Sequence, residues 1–392
     1  MLFKFTSFHD ENLKQNIINS QTEIFKNAIE EKDWEIFNSQ WRKDKSYIPH
    51  SIASRTIITK YGIVTFKRHR YKYWLNGKWR YICLVDKEYD IKRYQRVHDS
   101  LKFRVLTKIS TGATQTIIND IFSNAQMHIK SICNIINSFD LKILSDPCSY
   151  NVQKITIGKC LYINVDDFLP TLVVNNKLRK CRVRIAVFHT GYVNDFANRK
   201  ELANKKFYAE IVTSGTKIDT RKFVNRALNF AHNFYNNVDS SFKIIGGDSA
   251  TWIKNLPTYV NNSIYITDKF HAIRDLKTLK LNNKECIDLF CKGNYKELML
   301  KINEKYSTIQ NKTKLQKTAY STLKNNEIGI TNQKHPLNIG TFAESNISIL
   351  KSLFGYGAKS FNLRTYQNML TLRLANINGL NIIELLKNRT IH

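Results

Sequence analysis

The chain has 392 residues, 42% hydrophobic and 12% aromatic, which excludes a disordered chain and allows two or three domains around a large core. Lys and Arg number 61 against 32 Asp and Glu, a formal charge of +29; such a surplus implies a polyanionic partner, nucleic acid by default, with an AT-rich coding bias toward Lys, Asn and Ile as the bland alternative. No apolar run approaches the ~20 residues that span a bilayer, the opening MLFKFTSFHDENLK lacks a signal-peptide core, and seven scattered cysteines without a CxxC argue against a zinc site or disulfide framework and for a reducing cytoplasm, close to the nucleoid if DNA is the partner.

In chain order, residues 10–42 read as one amphipathic helix, with Leu13, Ile17, Phe25, Ala28, Ile29, Phe37 and Trp41 near helical spacing. A helix in a first region, 1–50, either packs on its own domain or pairs with a second copy. The region 51–98 changes to period two. RTIITK, Tyr61-Gly62, IVTFKRHRYKY, Asn76-Gly77 and KWRYICLV read as strands joined by turns, Asn-Gly being the strongest hairpin signal. Lys67, Arg68, Arg70 and Lys72 alternate there with Phe66, Tyr71 and Tyr73. Cations for phosphates and rings for stacking suit a nucleic-acid surface; a solvated basic strand is the alternative. Residues 99–146 hold three short helical segments, LKFRVLTKIS, ATQTIINDIFSN and AQMHIKSICNIINSF. Their lengths allow a helix-turn-helix or a plain three-helix bundle.

Beyond Asp146-Pro147 the order of elements carries the argument. Strands are expected over 161–166, 181–189 and 206–213, a helix over 220–236 capped by Asp219, a strand over 243–247, a helix over 250–260 and a strand over 263–267. Three meandering strands followed by alternating helices and strands make an α/β mixed sheet flanked by helices, as in the ribonuclease-H-like fold, although order alone does not single that fold out. The expected core is 155–271 with 340–392, interrupted by a lysine-rich helical insertion at 272–339. Helices resume over about 341–354 and 362–377.

The strand LYINVDD closes on two carboxylates. A strand has little reason to end in adjacent acids unless its end opens onto water or a cation. Asp166 is the better ligand, because Asp167 shares the parity of the apolar face; Asp167 is the fallback. Asp248 ends the fourth strand and Glu344 opens a late helix. Phosphodiester cleavage by two metals about 4 Å apart needs such hard oxygen ligands. Each acid also has a bland reading: Asp248 as a helix cap, Glu344 as the last member of a Thr341 capping box, Asp166 and Asp167 as a solvated turn. Arg182 and Arg184 add cations beside the first strand, for contact with phosphates. His271, in DKFH after the fifth strand, sits where it can touch a scissile phosphate or orient a carboxylate. Trp252 is either core or a base-stacking ring beside Asp248.

These segments resemble a known family. RTIITKYGIVTFKRHRYKY, YINVDD, GGDSATWIK, ITDKFHAIRDL and AES are similar to the motifs of DDE transposases of the ISLre group and of transposase-like proteins of mycoplasma integrative conjugative elements. The resemblance implies a ribonuclease-H-like catalytic core, an N-terminal region binding double-stranded DNA, two Mg²⁺ (or Mn²⁺) ions and assembly of several copies on DNA. Carried over by position, Asp166, Asp248 and Glu344 are its catalytic triad and His271 its histidine. The chain departs from the pattern at Asn164-Val165, where Glu-Ala is expected, and at Ser249-Ala250-Thr251, where Gly-Ala-Pro is expected. A nuclease or resolvase that only hydrolyses, or an inactive DNA-binding accessory protein, are the alternatives.

Overall fold

The structure is a computed structural model that describes residues 7–112, 129–145, 152–194, 200–212, 219–351 and 361–387. It divides into two compact units, 1–139 and 140–392. No helix among the described residues is long and apolar enough to cross a membrane.

In the first unit, helix α1 (Ser7–Asn38) lies on an antiparallel sheet of β1 (Ile48–Thr59), β2 (Gly62–Leu75) and β3 (Lys78–Ile82). Asn76 and Gly77 turn the β2–β3 hairpin with φ of +48° and +73°, the paired left-handed conformation that matches strand twist. Along β2, Val64 and Phe66 point inward while Ile63, Thr65 and Lys67 point out. Ile29 and Ile36 of α1 share one core with Ile57, Val64, Phe66 and Tyr71. Polar contacts fix the docking: Glu30 accepts from the Lys67 amide at 2.8 Å, and Asp33 lies 2.7 Å from the His69 ring. The helix and the hairpin region, read from sequence as separate, are therefore parts of one core. The helix also stops earlier than its periodicity suggests. Ser39 breaks it and caps a further turn, Gln40–Asp44. Helices α2 (Asp99–Ser110) and α3 (Ile129–Asn137) pack together. The segment between them, which a helix-turn-helix requires, lies outside the described residues.

The second unit is a mixed α/β structure. Its five-stranded sheet has the order β6 (Lys206–Val212), β5 (Arg182–His189), β4 (Cys160–Phe168), β7 (Phe242–Gly247), β8 (Ser263–Thr267). β4, β5 and β6 run antiparallel in turn, whereas β7 lies parallel to both β4 and β8. β4 is buried on both faces, which is why apolar residues occupy both parities. On one face Leu161, Ile163 and Val165 pack with Phe223 and Ala227 of α4 (Thr220–Ala231), a helix capped by Asp219 accepting from the Lys222 amide. On the other, Val183, Ile185 and Val187 pack with Leu350, Tyr366 and Leu370 of two later helices. Each such side chain contributes roughly 1.5–3 kcal/mol when fully buried.

Two sequence expectations are corrected here, and one hairpin is added. The helix expected to 236 ends at Ala231, because Tyr235 and Asn236 leave it to pair in parallel with Ile155 and Thr156. The helix expected over 250–260 is one turn, Thr251–Lys254, followed by a 3-10 turn at Leu256–Thr258, since Pro257 cannot continue an α-helix. A hairpin between β4 and β5, Thr171–Val174 with Lys177–Lys180, turns on Asn175 and Asn176 at positive φ and escaped notice.

The insertion is helical, as its polar pattern suggests. It consists of α5 (Lys269–Thr278), α6 (Lys284–Cys291), α7 (Tyr295–Thr308), α8 (Lys314–Lys324) and α9 (Glu327–Thr331). Ala272 and Leu276 of α5 belong to its private core with Phe290, Leu298, Ile302 and Leu323. The boundary expected at 272 therefore falls inside a helix. After the insertion come α10 (Ala343–Lys351), which packs on β4 and β5, and α11 (Leu363–Ile377), which packs on β6.

A candidate active-site edge

Strand register builds the site. Val165 of β4 lies opposite Gly247 of β7, and Gly247 lies opposite Thr267 of β8. The next residue on each strand is an aspartate: Asp166, Asp248 and Asp268. Three neighbouring parallel strands, about 4.8 Å apart, thus carry a row of carboxylates near the sheet edge where open α/β proteins bind ligands, β4 running on two residues further to Phe168.

The three have different tasks. Asp166 is nearly buried, at 8% exposure. Burial pushes its carboxyl up to about 6, and the nearby Asp248 charge adds to that, against the Asp167 amide that donates to it at 2.6 Å. Asp248 uses Oδ1 to accept from the Ala250 amide at 2.9 Å. It closes a tight turn rather than capping the helix, whose cap position is Ala250. Asp268 is committed to structure. It caps α5 through the Phe270 and His271 amides, and it accepts from the Thr341 hydroxyl at 2.8 Å. Burial opposes its charge, but contacts with His271 and Thr341 hold its carboxyl below the usual range.

Asp167, the fallback ligand, is occupied. Arg184 Nε lies 3.2 Å from its Oδ1 and Arg182 Nη1 lies 3.3 Å from its Oδ2. Strand parity turns Asp167 away from Asp166 and toward α4. Arg184 is 2% exposed and stacks its guanidinium over the Trp252 ring at 3.5 Å. It is therefore a buried counter-ion rather than a phosphate contact, and Trp252 packs beneath it. Arg182, half exposed, is likewise engaged with Asp167. In the first unit, Arg68 is also corrected: it is buried against Asp86 at 3.2 Å. Lys67 and Arg70 are exposed and Lys72 is half exposed.

His271 lies one helical turn along from Asp268, its Nδ1 at 3.4 Å from Oδ1. That contact is too long and misaligned for a good hydrogen bond, but the Asp268 carboxylate raises the imidazole above the usual histidine range, Asp166 adding a smaller push. His271, in the first turn of α5, thus stands beside the strand end that carries Asp268. Asn164, at the first departure from the transposase pattern, donates to His189 at 3.0 Å, and burial pulls that histidine down to about 4, keeping it neutral.

Glu344 stands in the first turn of α10, whose side chain there lies outside the described residues. The backbone leading to it is well placed. Gly246 has no room for a Cβ, because Thr341 Cγ2 occupies that space, and Gly247 meets the Val165 carbonyl and Ile253. The Gly-Gly pair lets the segment before Glu344 cross β7 at close range. The insertion also reaches this edge: Asn326 donates to Ser249 Oγ at 2.8 Å and to Thr267 Oγ1 at 2.6 Å, and Gln333 to the Thr267 carbonyl at 2.7 Å. Sequence reading missed Asp268, Thr341 and Asn326. The first had a visible signal, since IIGGD and YITD end alike and pair in register.

The donor set suits a hard divalent cation. Asp166 and Asp248 offer carboxylate oxygens whose mutual repulsion a cation would relieve. Among the described residues no group of three His, Cys, Asp or Glu is arranged to hold a metal ion, the third expected carboxylate being Glu344.

Fold and site define a mixed α/β protein whose parallel strands close on a row of aspartates. The chain belongs to the uncharacterised protein family UPF0236, which it matches over residues 3–336. That span takes in Asp166, Asp248 and His271 and stops before Glu344. No curated protein matches the chain.

Proposed function

We propose that this chain is a DDE-type DNA transposase with a ribonuclease-H-like core, using Asp166, Asp248 and Glu344 as its catalytic carboxylates. One observation carries the reading: register sets Asp166 and Asp248 side by side on adjacent parallel strands, where burial first and the Asp248 charge second raise the Asp166 carboxyl. The sheet order supports the core assignment, with the first strand central, a meander of antiparallel-paired β5 and β6 on one side and two strands parallel to it on the other. The resemblance of YINVDD, GGDSATWIK and AES to the transposase motifs supports the chemistry.

Asp166 and Asp248 would hold two Mg²⁺ (or Mn²⁺) ions, with Glu344 completing the set. When bound, the ions supply activation of the attacking oxygen and stabilisation of the leaving one. The chain's own groups do the positioning. Arg184 and Arg182 neutralise Asp167, so that it does not compete for a cation. Asp268 favours the charged form of His271, a donor for a phosphate oxygen. Lys67, Arg70 and Lys72 provide cations for the DNA backbone. Joining two DNA ends needs more than one active site, so assembly of copies on DNA is part of the reading.

The test is a strand-transfer assay with the full chain, Mg²⁺ and a plasmid carrying the coding sequence with its flanking DNA. The expected products are nicked ends with 3′-hydroxyls that become joined to a second duplex. Asp166→Asn, Asp248→Asn and Glu344→Gln should each abolish both steps. Cleavage without joining would reduce the reading to a hydrolytic nuclease, and unchanged products in all three variants would remove the site.

A further inference from the structure

The end of the β2–β3 hairpin carries aromatic rings in water. Trp74 is 59% exposed, Trp79 47% and Tyr81 48%. Trp74 lies opposite Trp79 and Lys72 opposite Tyr81, so all four share one face of the ladder. The rings alternate with cations: Arg70 sits over Tyr81 at 4.5 Å and Lys72 over Trp79 at 5.0 Å. Trp74 and Trp79 meet edge to face at 5.2 Å. Between residues 45 and 85 the sequence has nine Lys or Arg and no Asp or Glu, so this face lacks a carboxylate of its own strands to neutralise it.

Charge complementarity specifies a polyanion, and the rings specify which form of it. A duplex keeps its bases stacked on each other, so against a duplex the cations act and the rings gain little. Unpaired bases offer π-faces that stack on exposed Trp and Tyr. We infer that this hairpin face binds single-stranded DNA, stacking unpaired bases on Trp74, Trp79 and Tyr81 while Arg70 and Lys72 meet the adjoining phosphates. The inference deepens the DNA reading proposed above and rests on it for the class of partner. It assigns the rings, which that reading leaves without a task.

The experiment compares the full chain with Trp74→Ala/Trp79→Ala and Trp74→Phe/Trp79→Phe, using labelled 30-nucleotide oligo(dT), oligo(U) and a 30-base-pair duplex. Stacking predicts that the alanine pair weakens oligo(dT) binding at least about ten-fold and duplex binding less than two-fold, while the phenylalanine pair keeps most of both. Unfolding spectra confirm that each variant folds; the exposed positions and the phenylalanine pair keep the comparison meaningful. Equal losses on oligo(dT) and duplex, or no loss on either, would overturn the inference. So would oligo(U) binding ten-fold tighter than oligo(dT), or conversion of an oligomer to a monomer by the alanine pair, which would give the face to a second copy. Asp166→Asn should bind oligo(dT) like the parent, so a failed cleavage assay and a failed hairpin assay remain separate results.

Discussion

Thr341 donates its hydroxyl to Asp268 at 2.8 Å, across 73 residues of chain. The bond ties the segment that enters the Glu344 helix to the strand end beside Asp248. Thr341→Val keeps the shape and removes the donor. Asp268 is 2% exposed, so the loss should cost about 1–3 kcal/mol by denaturant titration. If the bond positions α10, strand cleavage should fall further than that loss of stability explains, when measured well below the melting temperature.

Gly246 sets the distance between β7 and the same segment. Gly246→Ala places a methyl where Thr341 Cγ2 already stands. Overpacking of this kind costs about 1–3 kcal/mol, and the change should lower the melting temperature while Gly77→Ala, at an open turn with φ of +73°, strains only its own backbone. A crystal structure of the alanine variant should show Thr341 displaced from Asp268.

Asp166 reverses the usual relation between a carboxylate and stability. Its folded value of about 6 lies above the ordinary 3.8, so between these the folded state holds a proton that the unfolded chain has lost. Stability falls as pH rises through that window, by about 3 kcal/mol in total. His271, raised by Asp268, acts in the same direction at higher pH, its contribution being complete below 6.5 and lost above its folded value. Asp166→Asn should therefore melt roughly 5 °C higher than the parent at pH 7.5 without divalent ions, and no higher at pH 4. Added Mg²⁺ should raise the parent and leave the variant unchanged, as measured by calorimetry.

Arg184 and Arg182 flank one carboxylate but differ in burial. Arg184→Ala strips the half-buried Asp167 of its buried partner at 3.2 Å and should destabilise the second unit by about 3 kcal/mol. Arg182→Ala removes a half-exposed partner and should cost less than about 1 kcal/mol. Weak DNA binding in a folded Arg184 variant, with stability intact, would contradict the assignment of Arg184 as a counter-ion.

Much of the core was readable from local pattern. The strand Ser263–Thr267 and the cap at Asp219 follow from alternation and from a side chain that competes for its own backbone. That Asp166 and Asp167 face opposite ways followed from parity alone, since successive side chains of a strand take opposite faces. What parity did not supply was the partner on each face. Arg182 and Arg184 look in sequence like cations on a surface strand, yet the sheet turns Arg184 under α4 and makes it the answer to Asp167.

The amino-acid order by itself determined the basic character, the strand ends that carry acids and the Asn-Gly hairpin, because charge, period and turn conformation are properties of neighbouring residues. Only the tertiary structure decided that Asp166, Asp248 and Asp268 stand in one row, that Thr341 reaches Asp268, and that Trp74 and Trp79 are left in water. Those facts depend on which strands pair and in what register, and pairing is fixed by packing between segments far apart in the chain.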